Sequence, residues 1–374
     1  VAILNFSKIS ETNNLKNIVK VKFEKDIFLF LQTPNKLNAE IVQFKVFNKE
    51  INLCLNDEIN LTINGEKLGG GQDGTYGVKA GNVDYLEELT IPSTYNGKPI
   101  TQILDYGFAE NTNLKKINLP DTLEVIGEYA FNKCTKLETI NITATSVEDY
   151  AFSNCDSLKY VTVSNHVNKL GAYTFSDSVA LEKISFENDS QLENIGKYAF
   201  RNTIIEKMSI PSSVVTLEDR AFNGCYSLTD ISFEDNSKLE IIGDYCFQGG
   251  KFHTITIPAS VKTIGYQAFY NSSLKTVEFE SGSELEAIDY AAFSGTHIET
   301  IKIPAKIKSI GVRAFQNCSA LSEVEFENTD ANWNLIAYGS TTVSKTITAS
   351  EIATPSTAAT YLKTTYNYYR WEQS

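Results

Sequence analysis

No apolar run in this chain approaches the roughly 20 residues that a membrane-spanning helix needs, so no span is expected. An excess of basic residues is missing too: 33 Lys and Arg are scattered among 46 Asp and Glu, for a formal net charge of −13. Nucleic acid as a partner is thereby excluded, because neutralising phosphates takes clustered cations. Six cysteines are present without a Cys-x-x-Cys pair, which rules out a zinc knuckle or a thioredoxin-type motif. Neither His-Glu-x-x-His, Gly-x-Ser-x-Gly nor an acidic calcium loop occurs. The stretch Gly69-Gly70-Gly71-Gln72-Asp73-Gly74 lacks the Gly-Lys-Ser/Thr that completes a phosphate loop and reads as a flexible turn. The chain also begins at Val1 without Met or a basic-then-apolar leader. A signal peptide removed from a secreted precursor is the expectation.

Phenylalanine, by contrast, is both abundant and regular. Phe108, Phe131, Phe152, Phe175, Phe200, Phe222, Phe247, Phe269, Phe293 and Phe315 follow one another at gaps of 21 to 25 residues. Ala usually precedes each. A period in this range marks a solenoid, in which each repeat is one coil packed on its neighbours. Five residues before the Phe an aliphatic recurs, from Ile103 and Ile126 to Ile288 and Ile310, and Gly often follows it (Gly127, Gly171, Gly196, Gly243, Gly265, Gly311). A tight bend without room for a side chain accounts for that Gly. After the Phe comes a period-two strand signal, as in Leu137-x-x-Ile140-x-Ile142 and Leu228-x-x-Ile231-x-Phe233. Each coil is thus expected to hold a short parallel strand, a bend and a compact Ala-Phe helical turn. About ten coils stacked at ~4.8 Å make a rod on the order of 50 Å long.

A second period lies above the first. Ile-Pro closes the strand at Pro211, Pro258 and Pro304, and Phe-Glu closes it at Phe186-Glu187, Phe233-Glu234, Phe279-Glu280 and Phe326-Glu327, both in steps of 46 or 47 residues. Long and short coils therefore alternate, as duplication of a two-coil unit would leave them.

The segment Ile210-Pro211-x-x-Val214-x-x-Leu217-x-x-Arg220-Ala221-Phe222-x-x-Cys225-x-x-Leu228-x-x-Ile231 resembles the BspA-like leucine-rich repeats of bacterial cell-surface proteins. The lead-in Asp73-Gly74-Thr75-Tyr76 with Ile91-Pro92-Ser93-Thr94-Tyr95-Asn96-Gly97-Lys98-Pro99-Ile100 is similar to that family as well. So are Ala331-Asn332-Trp333, Ala359-Thr360-Tyr361-Leu362 and Tyr368-Tyr369-Arg370-Trp371 at the other end. The resemblance spans roughly residues 67 to 374. Departures are local: Gly107 and Cys246 stand for Ala, and Glu148, Glu218 and Asp289 stand for Gly.

Three regions follow. Residues 1–65 carry alternating runs such as Ile41-Val42-Gln43-Phe44-Lys45-Val46-Phe47, with turn formers at Thr33-Pro34-Asn35 and Asn56-Asp57-Glu58. They are expected to form a small sandwich-like all-β module. A rival reading extends the solenoid backward, since Asn14-Leu15-x-x-Ile18 is similar to Asn113-Leu114-x-x-Ile117. Residues 66–330 form the solenoid with its lead-in, and 331–374 a C-terminal cap, which an open coil end requires.

Two exposed surfaces are candidates for a partner. The outward strand positions read Asn118, Asn141, Thr162, Ser185, Ser209, Ser232, Thr256, Glu278, Lys302 and Glu325, small and polar and then charged. Tyr106, Tyr129, Tyr150, Tyr173, Tyr198 and Tyr245 stand two residues before the Phe and are expected to stack along one flank. His166, His253 and His297 occupy different repeat positions, so no shared metal stripe is expected, nor any cofactor. Cys134, Cys155, Cys225 and Cys318 sit three residues after the Phe and read as buried free thiols. A Cys134–Cys155 disulfide is the competing arrangement. No catalytic constellation emerges. The expected function is non-catalytic binding at the cell surface or outside the cell, by a monomer. The resemblance implies adhesion, with a protein or glycan on host cells, extracellular matrix or other bacteria as partner. A spacer role in a larger envelope protein is the alternative.

Overall fold

The computed structural model describes residues 75–80, 87–95 and 98–374, together with the backbone of six strands before residue 62. Those strands include Ile9–Thr12, Ile18–Lys22, Ile27–Leu31, Glu40–Val46 and Lys49–Asn56, each paired antiparallel with the next. Ile18 therefore lies in an antiparallel pair and not in a parallel coil stack. The sandwich-like packing expected for 1–65 and the glycine-rich stretch at Gly69-Gly70-Gly71 lie outside the described residues.

From Glu88 onward the chain is a β-solenoid of eleven coils, one more than the phenylalanines mark, because the lead-in supplies the strand Glu88–Thr90. Two layers of parallel strands run its length, the first interrupted into three sheets and the second continuous. One collects the main strands, from Glu88–Thr90 and Lys116–Asn118 to Thr300–Ile303 and Glu323–Phe326. The other collects two-residue strands, from Val125–Ile126 to Ser309–Ile310, each centred on the recurrent aliphatic. Main strands expose their first side chain and bury their second; the fourth is buried in strands such as Thr139–Ile142 and half-buried where it is Phe186, Phe233, Phe279 or Phe326, which is the period-two pattern of a half-buried strand.

All ten phenylalanines are buried and stack face to face through the interior, with centroids 5.0–5.5 Å apart. The Ala row beside them is buried too, and Thr174 fits there by donating from Oγ1 to the carbonyl of Gly171 at 2.7 Å.

The Ala-Phe segment is a run of hydrogen-bonded turns and not a helix. Amide donors alternate in direction. Ala130, Asn132 and Cys134 donate to Gly127, Tyr129 and Phe131 in their own coil, whereas Tyr129, Phe131 and Lys133 donate to Asp149, Ala151 and Ser153 of the next. A helical ladder cannot propagate when every second N–H is committed sideways. Two residues per coil adopt left-handed backbone, one two places before the Phe (φ 52° to 61°) and one two places after it (φ 54° to 77°). Asn, Asp and Gly fill most of the second row (Asn154, Asp177, Asn202, Gly224, Gly249, Asn271, Gly295, Asn317), the residues to which that conformation costs least.

The recurrent Gly is explained by a neighbour's approach. Its φ is ordinary, but a Cβ on Gly196 would lie 2.5 Å from the Gly171 carbonyl, and one on Gly127 only 2.6 Å from the Asp105 nitrogen. The two-coil alternation also has a structural counterpart. Each short-to-long step is fully paired, as in Lys207–Ile210 with Asp230–Phe233 and Thr254–Ile257 with Thr276–Phe279. Long-to-short steps open. Lys183–Phe186 does not pair with Lys207–Ile210, nor Asp230–Phe233 with Thr254–Ile257, and the third step keeps only Thr276 beside Thr300. Pro211, Pro258 and Pro304 lack the N–H that would reach back. Where Ser164 stands in their place, its N–H bonds the Ile142 carbonyl at 3.0 Å. The glutamate of each Phe-Glu pair completes the corner. Glu187, Glu234, Glu280 and Glu327 accept the amides of Asn165, Ser212, Ala259 and Ala305 at 2.9–3.1 Å.

After Phe326 the strands Trp333–Ala337, Val343–Ile347 and Tyr369–Gln373 form an antiparallel unit. Its last strand pairs antiparallel with Ser309–Ile310 and so covers one sheet's end. The helix Pro355–Thr360 packs on Glu323–Phe326 and covers the other. Trp333 and Trp371 are buried between.

Candidate partner-binding surfaces

Parallel register aligns the outward strand residues in short runs along one face, interrupted at the open steps. Asn141 lies beside Thr162 and Thr162 beside Ser185; Ser209 lies beside Ser232, Thr256 beside Glu278, and Lys302 beside Glu325. All are exposed except Ser185, which is half-buried. Asn118 donates from Nδ2 to Thr90 Oγ1 at 2.9 Å, extending the row by a coil. Sequence reasoning passed over a second exposed row on this face, the first strand positions Lys116, Thr139, Tyr160, Lys183, Lys207 and Asp230. The same period-two alternation carried that signal, since positions i and i+2 share a face. The open step between Lys183–Phe186 and Lys207–Ile210 leaves a shallow depression lined by Tyr160, Glu182, Lys183, Lys207, Ser209 and Ser232. Tyr160 is half exposed there, with its hydroxyl 3.2 Å from Glu182.

The tyrosines stack as their spacing predicts, but only in part. Tyr106, Tyr129, Tyr150, Tyr173 and Tyr198 form a nearly parallel ladder with centroids 4.5–4.8 Å apart. Arg220 then takes the position and spans the gap, its guanidinium 5.4 Å from the ring of Tyr198 and 4.1 Å from that of Tyr245. Beyond this the aromatic shifts one residue earlier, so Tyr245 meets Tyr266 at 48° and Tyr266 stacks on Tyr290. Arg313 closes the series between Tyr290 and Tyr368. Cation–π contact preserves the stack where tyrosine is absent. Burial, with the neighbouring phenols and carboxylates, pushes the Tyr129 and Tyr150 hydroxyls above the usual phenol range, so both remain neutral donors.

Beside the ladder runs a trough. Its floor is the residue after each Phe, Ala109, Asn132, Ser153 and Ser176, and its far wall is Glu110, Lys133, Asn154 and Asp177. Arg201, 5.7 Å from the Tyr198 ring and 3.7 Å from Asp177, stands at its end.

The histidines are dispersed. His166 bonds Ser164 and the Thr143 carbonyl, while His253 and His297 are exposed. The described cysteines Cys134, Cys155, Cys225, Cys246 and Cys318 are free and buried. Thiols of Cys134, Cys155, Cys225 and Cys318 donate to the Phe carbonyl of the preceding coil at 2.9–3.2 Å, as the Ser178 hydroxyl does at 2.8 Å. Burial pushes the Cys134 and Cys225 thiols up to about 12, leaving almost no thiolate near neutrality. At pH 8 the native protein should therefore resist alkylation at these five thiols, and denaturation without reductant should expose all five. Two thiols still protected after denaturation would mean a disulfide.

The BspA-type leucine-rich repeat region, in six copies, matches residues 81–192, 145–247 and 240–367. The chain belongs to the BspA-type leucine-rich repeat family. Solved structures similar to it include the T. pallidum leucine-rich repeat protein TpLRR (25% identity, 47% of this chain and 80% of that one, TM-score 0.41). The pneumococcal vaccine antigen PcpA is another (18%, 83% and 82%, 0.42), as is a leucine-rich cell surface protein of Faecalibacterium prausnitzii (21%, 79% and 96%, 0.37). No match is found among curated proteins. The family consists of repeat proteins with binding or structural roles. Among the described residues no helix is long and apolar enough to cross a membrane.

Proposed function

We propose that this protein acts at the cell surface as a non-catalytic adhesion module, taking a protein partner across the main-strand face. The observation that carries this is the exposed, two-row polar face, interrupted at one open step by a depression that combines a half-exposed tyrosine with lysines and glutamates. Aromatic residues ringed by polar ones are the usual centre of a protein interface. The stacked coils fix the backbone beneath them, which lowers the ordering cost of binding. Family membership supports a surface role, and the F. prausnitzii relative is described as a cell surface protein.

The test is a screen of the purified protein against immobilised matrix proteins and mucin at physiological salt. Saturable binding is expected, and replacing Asn141, Ser185 and Ser232 together by Lys should weaken it at least tenfold. Uniform absence of saturable binding would leave the spacer role in a larger envelope protein, which the unbroken phenylalanine stack also suits.

A further inference from the structure

One row of the solenoid surface is apolar on three consecutive coils and polar on the rest. The position four places after the Phe is taken there by Val179, Ile204 and Tyr226, which are 52%, 39% and 66% exposed. On the other Phe-bearing coils it is polar, from Thr112 and Thr135 to His297 and Ser319. Asp156 holds it on the coil before the patch and Lys251 on the coil after, and both are exposed. Neither enters an ion pair among the described residues, although successive coils pair such charges elsewhere, as in Lys133–Glu110 and Lys169–Glu148. The coils hold this row in register. Just before it, the amides of Asn154, Asp177 and Asn202 donate to the carbonyls of Ser176, Arg201 and Asn223 in the next coil. The Lys251 amide donates to the Leu228 carbonyl at 3.1 Å. The Tyr226 ring lies over Gly249 of the next coil, where a Cβ would come within 3.0 Å of it.

Isolated apolar residues are ordinary on a surface, but a contiguous patch with a polar rim marks a contact site. The order along the row points to what covers it. It reads acid, three apolar residues, base, and is therefore complementary to itself when reversed. A two-fold contact presents the same patch on both copies. With the rods antiparallel and the axis at Ile204, Ile204 meets Ile204, Val179 meets Tyr226, and Asp156 meets Lys251 at both ends. Parallel rods would instead set Asp156 on Asp156 and Lys251 on Lys251, and like charges across an interface repel. We propose that this row is a homodimer interface that pairs two copies antiparallel, in place of the monomer expected from the sequence. The seam is short and belongs with the small interfaces, under about 1,200 Å² in total. Its dimer is therefore one that dissociates on dilution.

The experiment is sedimentation equilibrium of the whole protein from about 1 to about 300 μM, the range in which a weak pair passes from monomer to dimer. A monomer–dimer equilibrium is expected. Asp156→Lys and Lys251→Asp should each weaken it at least tenfold, since each sets like charges at both ends of the seam. Mixing the two variants should restore association, because both ends then join Lys to Asp. Ile204→Asp, on the axis, should weaken it as well, and Ser209→Lys on the strand face should leave it unchanged. A melting curve matching that of the wild type shows that a variant is folded. Monomer at every concentration would overturn the interface. So would charge variants that associate like the wild type, or a mixture that stays monomeric. Binding to matrix proteins tests the strand-face reading independently.

Discussion

Replacing Phe200 by Ala should lower the stability of the solenoid by roughly 3–5 kcal/mol, the range for a fully buried aromatic. Phe200 has no exposed surface and is stacked between Phe175 at 5.5 Å and Phe222 at 5.2 Å. The substitution removes both ring contacts and leaves a void that cannot collapse, because the backbone on either side is pinned. Phe200 donates its amide to Ala221, and its carbonyl accepts from the Cys225 thiol. In a fold where each coil touches only its neighbours, the damage should stay near coils 175 to 222. Chemical denaturation gives the magnitude, and hydrogen exchange gives the place. An unchanged melting curve would mean that the ring is not core.

The second large effect concerns a residue without a side chain. Gly196→Ala should cost about 1–3 kcal/mol or more, the range for overpacking, because the new Cβ would sit 2.5 Å from the carbonyl carbon and oxygen of Gly171 and 2.7 Å from the oxygen of Leu170. Those are backbone atoms and cannot rotate aside. The amide of Gly196 donates to that same Leu170 carbonyl at 2.9 Å, so relief requires parting two coils and losing the bond. Glu218→Ala, at the same position one coil on, provides the contrast. That coil already accommodates a Cβ, and the change removes only an exposed carboxylate that accepts the Lys197 amide. Its cost should stay near 1 kcal/mol. Equal losses in the two variants would show that the row is not set by inter-coil approach.

The interior was legible in the sequence because one residue type marks it at every coil. Phe, the aliphatic five places earlier and the strand alternation all report burial, and burial is what repeats. The backbone of the Ala-Phe segment was not legible. Tyrosine at φ near 55° is an unusual choice, and Ala-Phe on its own favours a helical turn. The Asn, Asp and Gly two places after the Phe were the available clue, since they prefer left-handed backbone. Part of the tyrosine flank escaped because the ladder changes position. Tyr266 and Tyr290 stand one residue earlier than Tyr245, and Arg220 replaces a ring altogether. The trough was hidden for another reason: its floor consists of small residues whose meaning appears only when neighbouring coils are stacked.

The open steps between long and short coils have a bearing on how such a chain changes size. From Lys207–Ile210 onward the main strands are fully bonded in couples, and the boundaries between couples carry no complete main-strand ladder. A segment of 46 or 47 residues cut at two such boundaries leaves with its own couple intact and brings together main strands that were never fully bonded to what was removed, while the two-residue strands re-form the pairs they make at every step. The open step thus marks the joint of an interchangeable block, about 10 Å of rod at ~4.8 Å per coil. A lineage could lengthen or shorten its reach from the surface by whole blocks without rebuilding the phenylalanine stack.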